Sequence, residues 1–140
     1  MRRFLLDSNV MGDFIDRRRG VPEKVRQTRQ GGGRIGTCMP VVAELFYGVE
    51  FSATRDDNIR RLRRALSDII CWPLDRPAAE EYGRIAAELR RRGRPMQVVD
   101  VMIAAIALSL GDCTVVTCDN DLLSVPGLAV ENWRTEGGTA

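Results

Sequence analysis

The chain has 140 residues, of which 44% are hydrophobic, and its formal net charge is +2. Such a chain is long enough to fold as one domain around its own core, here expected over residues 1–134 with a disordered tail over 135–140. No apolar run reaches the length of a membrane span, and Asp7 interrupts the N-terminal apolar segment after three residues, which argues against a secretory signal. We therefore expect a globular cytoplasmic protein.

Several functional classes are excluded by residues that the sequence lacks. It has no histidine, and its four cysteines show no CxxC spacing, so neither a zinc site nor a serine or cysteine triad of the usual type is expected. The glycines at 31–33 are not followed by Gly-Lys-Ser/Thr, which excludes a phosphate-binding loop. The only lysine, Lys24, lies early in a polar segment, whereas a phosphoacceptor receiver domain needs one after a late strand. The cysteines are interpreted as reduced thiols.

Basic residues are almost all arginines and cluster in three runs. Lys24 is the one exception among 21 basic residues, and the runs lie at residues 17–19, 60–64 and 90–94. Arginine keeps its charge and pairs bidentately with phosphate. Such runs are also common on solvated helix faces, which is the simpler interpretation. Beside an acidic pocket, however, they would suit a polyanionic substrate that also needs a metal.

Apolar runs that alternate with helical patterns predict an α/β fold with a mostly parallel sheet of about five short strands. The predicted strands cover residues 4–6, 34–39, 70–74, 113–117 and 128–130. The predicted helices cover residues 8–17, 21–30, 41–51, 55–69, 76–92 and 98–110, with a short helix or turn at 122–125. Pro73 confines the third strand to a sheet edge or ends it.

Acidic residues stand where these elements begin or end. Asp7 follows the first strand directly, and Asp119 and Asp121 follow the fourth. Glu44 and Asp100 lie near the starts of two apolar helices. Ligands of parallel sheets bind outside the carboxyl ends of the strands, so we expect all these acids near one crevice.

Most of these acids also have a purely structural interpretation. Asp7 could cap the following helix, Asp100 could be a first-turn acid favoured by the helix dipole, and Asp119 could form a turn. Glu44 is hardest to explain in this way, because an ionised carboxylate among apolar neighbours is unfavourable unless it is compensated. Their joint placement is what favours a functional site.

Carboxylates that lie close together cannot all ionise without a cation. Mg²⁺ or Mn²⁺ fits such a site, because both prefer hard oxygen ligands. Either ion would activate a water molecule and neutralise charge on a phosphodiester. Thr117 would hold a metal-bound water or orient a carboxylate.

Five segments, in this order, resemble the PIN-domain family and most closely its VapC-like ribonuclease toxins of toxin–antitoxin pairs: LLDSNV, VVAELFYG, GRPMQVVDVMIAAIAL, VVTCDNDL and PGLAVENW. They span nearly the whole chain. The resemblance implies a PIN-like three-layer α/β/α sandwich. It also implies a metal-dependent endoribonuclease that hydrolyses RNA with a metal-activated water.

The resemblance also implies roles for particular residues. The family's acidic quartet maps onto four positions that would bind Mg²⁺, with Mn²⁺ as a possible substitute: Asp7, Glu44, Asp100 and Asp119. Thr117 takes the hydroxyl position before the last acid, and Ser8 takes the one after the first. Asp119 fits the Thr-x-Asp spacing better than Asp121, which is therefore expected to be a supporting or structural residue.

Members of this family typically form homodimers and are inhibited by a cognate antitoxin. The antitoxin's C-terminal segment can place a basic side chain at the acidic pocket, and the expected groove lies at the helices over residues 41–51 and 55–66. Phe46, Tyr47 and Phe51 are candidate exposed anchors there, although Phe46 could equally belong to the core.

Two alternative functions remain compatible with the sequence. The same acids could serve a DNA-directed or structure-specific nuclease. The fold could also be kept as a non-catalytic module that binds RNA or protein, although such a module would not need the full acid set.

Overall fold

The computed structural model describes residues 2–135, and within them it contains six α-helices around a five-stranded sheet. The strands are β1 (Arg3–Leu6), β2 (Arg34–Cys38), β3 (Ile70–Trp72), β4 (Cys113–Val116) and β5 (Ala129–Glu131). The helices are α1 (Ser8–Ile15), α2 (Val21–Gln30), α3 (Met39–Glu50), α4 (Arg55–Ser67), α5 (Arg76–Arg91) and α6 (Val98–Leu110). A 3-10 helix, Asn120–Ser124, lies between β4 and β5.

All five strands are parallel, in the order β3-β2-β1-β4-β5. The chain moves outward from β1 first in one direction and then in the other, so right-handed connections place helices on both faces of the sheet. The predicted α/β/α sandwich is therefore confirmed. Because the direction changes between β1 and β4, the crevice for a ligand is expected at the carboxyl ends of these two strands.

The core lies where the two central strands meet α6. Leu5 and Leu6 of β1 and Val115 of β4 have no exposed surface, and Ile106 of α6 is 1% exposed. Helix α6 is apolar nearly all round because it is buried. Only its first turn reaches the sheet edge, and this turn carries Asp100.

The third strand is at the sheet edge, as predicted from Pro73, and it pairs with β2. A Cβ atom at Gly36 of β2 would lie 2.5 Å from the Ile70 carbonyl oxygen and 2.7 Å from the Trp72 ring. Glycine is therefore required at this position for the two backbones to pair. Next to it, the buried Thr37 hydroxyl donates to the Leu6 carbonyl at 2.6 Å, which ties β2 to β1.

Several predicted boundaries differ from the observed ones by one or two residues. Helix α1 ends at Ile15 rather than at residue 17, because Arg17 and Arg19 adopt left-handed backbone angles with φ of 57° and 58°. The turn that they form is held from the C-terminal side, where the Thr135 N–H donates to the Arg19 carbonyl at 3.0 Å. The predicted tail starts at Thr135, which is thus bound, and residues 136–140 lie outside the described residues.

No helix within residues 2–135 combines the length and apolar character needed to cross a bilayer.

Candidate metal centre

Asp7 lies at the end of β1 and is both a helix cap and a buried acid. Its backbone N–H donates to the Val116 carbonyl at 3.0 Å, which extends the pairing of β1 with β4 by one residue. Its Oδ1 accepts a hydrogen bond from the Val10 N–H at 3.0 Å, and its Oδ2 accepts one from the Thr117 hydroxyl. The residue is only 7% exposed. The structural and the functional interpretations of Asp7 are therefore compatible.

Thr117 connects two of the predicted site residues. Its hydroxyl donates to Asp7 and accepts from the Asp119 backbone N–H at 3.0 Å. The side chain is 2% exposed, so solvent does not compete for these bonds. Thr117 thus orients the Asp7 carboxylate and sets the position of the chain that follows β4.

Three carboxylates converge at the carboxyl end of the sheet. One oxygen each of Asp100, Asp119 and Asp121 lies within 4.8 Å of the others. Asp119 caps the 3-10 helix, since its Oδ1 accepts the Asp121 N–H at 3.0 Å. This tight turn brings the Asp121 carboxylate beside the other two, although the sequence assigned Asp121 only a supporting role.

The electrostatics of the site reflect crowded negative charge. Burial raises the pKa of Asp7, against the lowering effect of its hydrogen bonds from Thr117 and Val10. Burial also raises the pKa of Asp100, and the charges of Asp119 and Glu44 add to this effect. A divalent cation would relieve both contributions, because it replaces lost solvation and offsets the repulsion.

Glu44 lies at the margin of this cluster. It is exposed rather than enclosed by apolar neighbours, so the expectation of a buried carboxylate at this position was wrong. The helix turns its apolar residues Val41 and Val42 into the core and Glu44 outward. Glu44 Oε1 accepts a hydrogen bond from the Ser8 hydroxyl at 2.5 Å, and this bond joins α3 to the start of α1.

The donor set fits a hard divalent ion. Carboxylate oxygens are the ligands that Mg²⁺ and Mn²⁺ prefer, and bonds of about 2.1 Å to Mg²⁺ place its ligands at most about 4.2 Å apart. The 4.8 Å spread of the three carboxylates therefore needs only a small contraction to surround one ion. Asp7 and Glu44 lie beside these three and contribute negative charge, since both raise the pKa of Asp100.

A buried acid that was not predicted from the sequence, Asp13, lies on the helix that Asp7 caps. Asp13 has no exposed surface, and its Oδ2 accepts a hydrogen bond from Arg134 Nε at 2.6 Å. Its Oδ1 faces Arg18 at 3.6 Å and Arg19 at 3.9 Å. The sequence could have indicated that Asp13 is buried, because Asp13 follows Val10 at helical spacing on the inward face of α1.

A groove lies between α1, α3 and α4. The groove has a volume of about 310 Å³. Its lining includes the acidic residue Glu44 and the apolar residues Leu45, Val49 and Leu62. Close by, two aromatic rings are exposed at the end of α3: Tyr47 of the helix is 67% exposed, Phe51 directly after it is 75% exposed, and their centroids are 5.0 Å apart. Phe46 is partly buried.

Comparison with known proteins agrees with this architecture. Residues 4–128 match the model of the PIN domain. The chain therefore belongs to the PIN-domain family, and among its members it groups with the VapC proteins. It is 33% identical to the tRNA(fMet)-specific endonuclease VapC of Shigella flexneri over 134 residues, which are 95% of this chain and 99% of that protein.

Two solved structures share the whole fold. The first is the crystal structure of DNA-bound VapBC from Salmonella typhimurium, with a TM-score of 0.86, 30% identity, and coverage of 95% of this chain and 99% of that one. The second is VapBC2 from Rickettsia felis bound to a DNA fragment from its promoter, with a TM-score of 0.87, 25% identity, and coverage of 94% and 98%.

Proposed function

We propose that this protein is a Mg²⁺-dependent endoribonuclease, the toxin of a toxin–antitoxin pair, acting in the cytoplasm. Family membership supports the ribonuclease assignment, since several curated relatives at comparable identity are named as ribonucleases or endonucleases. The observation that carries the metal dependence is the convergence of Asp100, Asp119 and Asp121 within 4.8 Å, beside the buried Asp7.

The residues of the site would divide the work. Asp100, Asp119 and Asp121 would hold the ion, with Asp7 and Glu44 adding negative charge around it. A bound Mg²⁺ supplies activation of water and neutralisation of charge on a phosphodiester. Thr117 keeps Asp7 oriented through its hydroxyl, and Ser8 positions Glu44 in the same way.

The test combines cleavage with metal binding. The parent protein is incubated with tRNA(fMet) transcript in Mg²⁺, Mn²⁺ or EDTA, and a DNA oligonucleotide serves in parallel as a competing substrate. We expect cleavage of RNA in either metal and none in EDTA. Cleavage of DNA in preference to RNA would instead support the DNA-directed alternative.

Asp100→Asn is the informative variant, with Asp57→Asn as its matched control, because Asp57 is an exposed acid of α4 that pairs with Arg60. We expect Asp100→Asn to weaken Mn²⁺ binding in calorimetry at least ~10-fold, a loss of about 1.4 kcal/mol, and to abolish cleavage. The control should match the parent in both measurements. Equal Mn²⁺ affinity in all three proteins would refute the metal centre.

We further propose that a cognate antitoxin occupies the groove between α1, α3 and α4. The solved neighbours are VapBC complexes, and large exposed aromatic side chains beside an apolar groove are typical of a protein-binding surface. A basic side chain of the antitoxin that reached Glu44 would meet the acidic cluster from its open side.

This assignment predicts a defect confined to complex formation. Co-expressed with the antitoxin encoded beside it, Phe51→Ala should lose at least ~10-fold in affinity, whereas Leu74→Ala, an exposed apolar residue after β3, should not. Calorimetry with the purified proteins measures the difference. We also propose that the isolated toxin forms a homodimer, as the family resemblance implies, and light scattering tests this independently.

A further inference from the structure

The structure separates arginines that are already neutralised from arginines that are available. In the first run, Arg18 lies 3.4 Å from Asp16, and Arg19 lies 3.9 Å from Asp13. In the third run, Arg91 and Arg92 both pair with Glu88, at 3.1 Å and 3.4 Å. These side chains have carboxylate partners within the protein.

Six exposed arginines have no carboxylate partner within residues 2–135: Arg17, Arg34, Arg63, Arg64, Arg90 and Arg94. Topology places the first four away from the acidic site. Arg34 starts β2, and Arg63 and Arg64 lie on the last turns of α4, which ends just before β3 starts. Arg17 follows the far end of α1, which starts at the site. Arg90 and Arg94 lie instead at and just after the end of α5, before the segment that leads into α6 and Asp100.

The backbone of Arg94 is fixed by the way α5 ends. Gly93 adopts a left-handed angle, with φ of 69°, and donates to the Arg90 carbonyl at 3.0 Å. The Arg94 N–H donates to the carbonyl of the buried Leu89 at 2.8 Å. This is the pattern that closes a helix at a C-terminal glycine. The position of the Arg94 backbone is therefore set by hydrogen bonds.

The next segment leads directly into the site. Helix α6 begins at Val98 and carries Asp100 in its first turn, packed along α5. Six positions separate Arg94 from Asp100, so even a fully extended chain would place their Cα atoms within about 20 Å of each other. The distance is shorter here, because residues 98–100 are helical. Arg94 therefore lies within about 20 Å of Asp100, with Arg90 one helical turn earlier on α5, and both side chains are exposed.

The carboxylates of the acidic cluster repel the phosphates of a polyanion. A cation bound among them offsets this repulsion only for the phosphates nearest to it. RNA bound there needs positive groups on its flanks. We propose that Arg90 and Arg94 form a phosphate-binding ridge that holds the RNA backbone beside the acidic cluster, an inference that rests on the ribonuclease function proposed above. Their guanidinium groups can pair bidentately with phosphate oxygens because no carboxylate of the described chain occupies them.

Two double variants with the same loss of charge test the ridge. Arg90→Ala/Arg94→Ala removes the available arginines, and Arg91→Ala/Arg92→Ala removes their paired neighbours at the same helix end. Binding of a labelled single-stranded RNA oligonucleotide is measured by anisotropy in EDTA at several salt concentrations. We expect the ridge variant to bind at least ~10-fold more weakly. Its salt slope should be lower by about 1.4, because each phosphate that an arginine neutralises contributes about 0.7 to the slope.

The paired control should bind within about 3-fold of the parent with an unchanged slope. Equal losses in both variants, or no RNA binding by the parent, would overturn the ridge. Cleavage in Mg²⁺ is measured separately, with an increase in KM expected for the ridge variant. A parent that binds RNA through the ridge but cleaves nothing would refute the nuclease proposal and leave the ridge standing.

Discussion

Thr117 serves two acids with one hydroxyl group. It donates to Asp7 and accepts from the Asp119 N–H, and both Thr117 and Asp7 are buried. A buried carboxylate that loses a donor keeps the penalty of its desolvation. Its pKa then rises further, because hydrogen bonds to the charged form are what lower it.

We therefore expect Thr117→Val, which keeps the shape but removes the hydroxyl, to lower the free energy of unfolding by about 1–3 kcal/mol. RNA cleavage should slow at least ~10-fold, equivalent to about 1.4 kcal/mol of activation free energy. Thermal unfolding and single-turnover cleavage measure the two effects. Thr117→Ser retains the hydroxyl and is the control, so identical losses in both variants would contradict this role.

Asp100 makes the metal-free protein sensitive to pH. Its pKa is raised by burial and by neighbouring acids, so the folded state binds a proton more readily than the unfolded chain does. The stability that it contributes is complete below the ordinary Asp value of 3.8 and is lost as pH rises through the higher folded value. At neutral pH without metal, the ionised group is therefore destabilising.

This sign predicts that Asp100→Asn raises the Tm of the EDTA-treated protein at neutral pH, by about 3 °C for each kcal/mol gained. The difference should shrink as pH falls toward 4, since the parent then takes up the proton itself. In excess Mg²⁺ the parent should instead have the higher Tm, because it binds the ion more tightly than Asp100→Asn does. Differential scanning fluorimetry measures the Tm of both proteins across pH. A Tm difference that did not change with pH would contradict the raised pKa of Asp100.

Among the secondary-structure elements, β3 can pair with β2 only because residue 36 of β2 is a glycine. Strand β2 can approach it only because Gly36 leaves room for the Ile70 carbonyl and the Trp72 ring. The contact involves backbone and a buried indole, so neither can move aside easily. The α5 helix provides a contrast, because the space around Gly83 is open.

We expect Gly36→Ala to destabilise the protein by about 2 kcal/mol or more, within the range seen for overpacked cores. Gly83→Ala should instead stabilise it by about 0.5–1 kcal/mol, because alanine loses less backbone entropy in a helix. Urea denaturation compares the two at equal added volume. Similar losses from both would show that the crowding at Gly36 is not decisive.

The C-terminal segment is joined to α1 by a buried ion pair. Arg134 approaches Asp13 at 2.6 Å, and Asp13 has no exposed surface. Removing one partner of such a pair leaves the other buried without compensation, typically at a loss of about 3–5 kcal/mol. The adjacent Trp133 is also buried, and its ring lies 5.4 Å from that of Phe4.

Asp13→Ala should therefore destabilise the protein by about 3 kcal/mol. Asp57→Ala removes the acid of an exposed pair on α4 and should leave stability nearly unchanged. Guanidinium unfolding gives both values. A small effect at Asp13 would mean that its pair with Arg134 does not hold this segment.

For the molecule as a whole, local patterns are sufficient to predict the sheet and most of its acidic edge. Buried parallel strands are continuously apolar, and the acids that follow them must meet at their carboxyl ends. Asp7 and Asp119 are predictable on this basis. The proximity of Asp121 depends on the 3-10 turn, and the charge compensation of the buried Asp13 depends on Arg134, 121 positions away. Local sequence contains neither relationship.

The central pairing of β1 with β4 has a consequence for the cell that makes this protein. The first strand finds its second neighbour only when residues 113–116 exist, and Thr117 reaches Asp7 across 110 positions. A nascent polypeptide on the ribosome therefore cannot assemble the centre until β4 and Thr117 have been translated. We expect products of premature termination before β4 to lack the centre, so that nuclease activity requires a chain that includes β4.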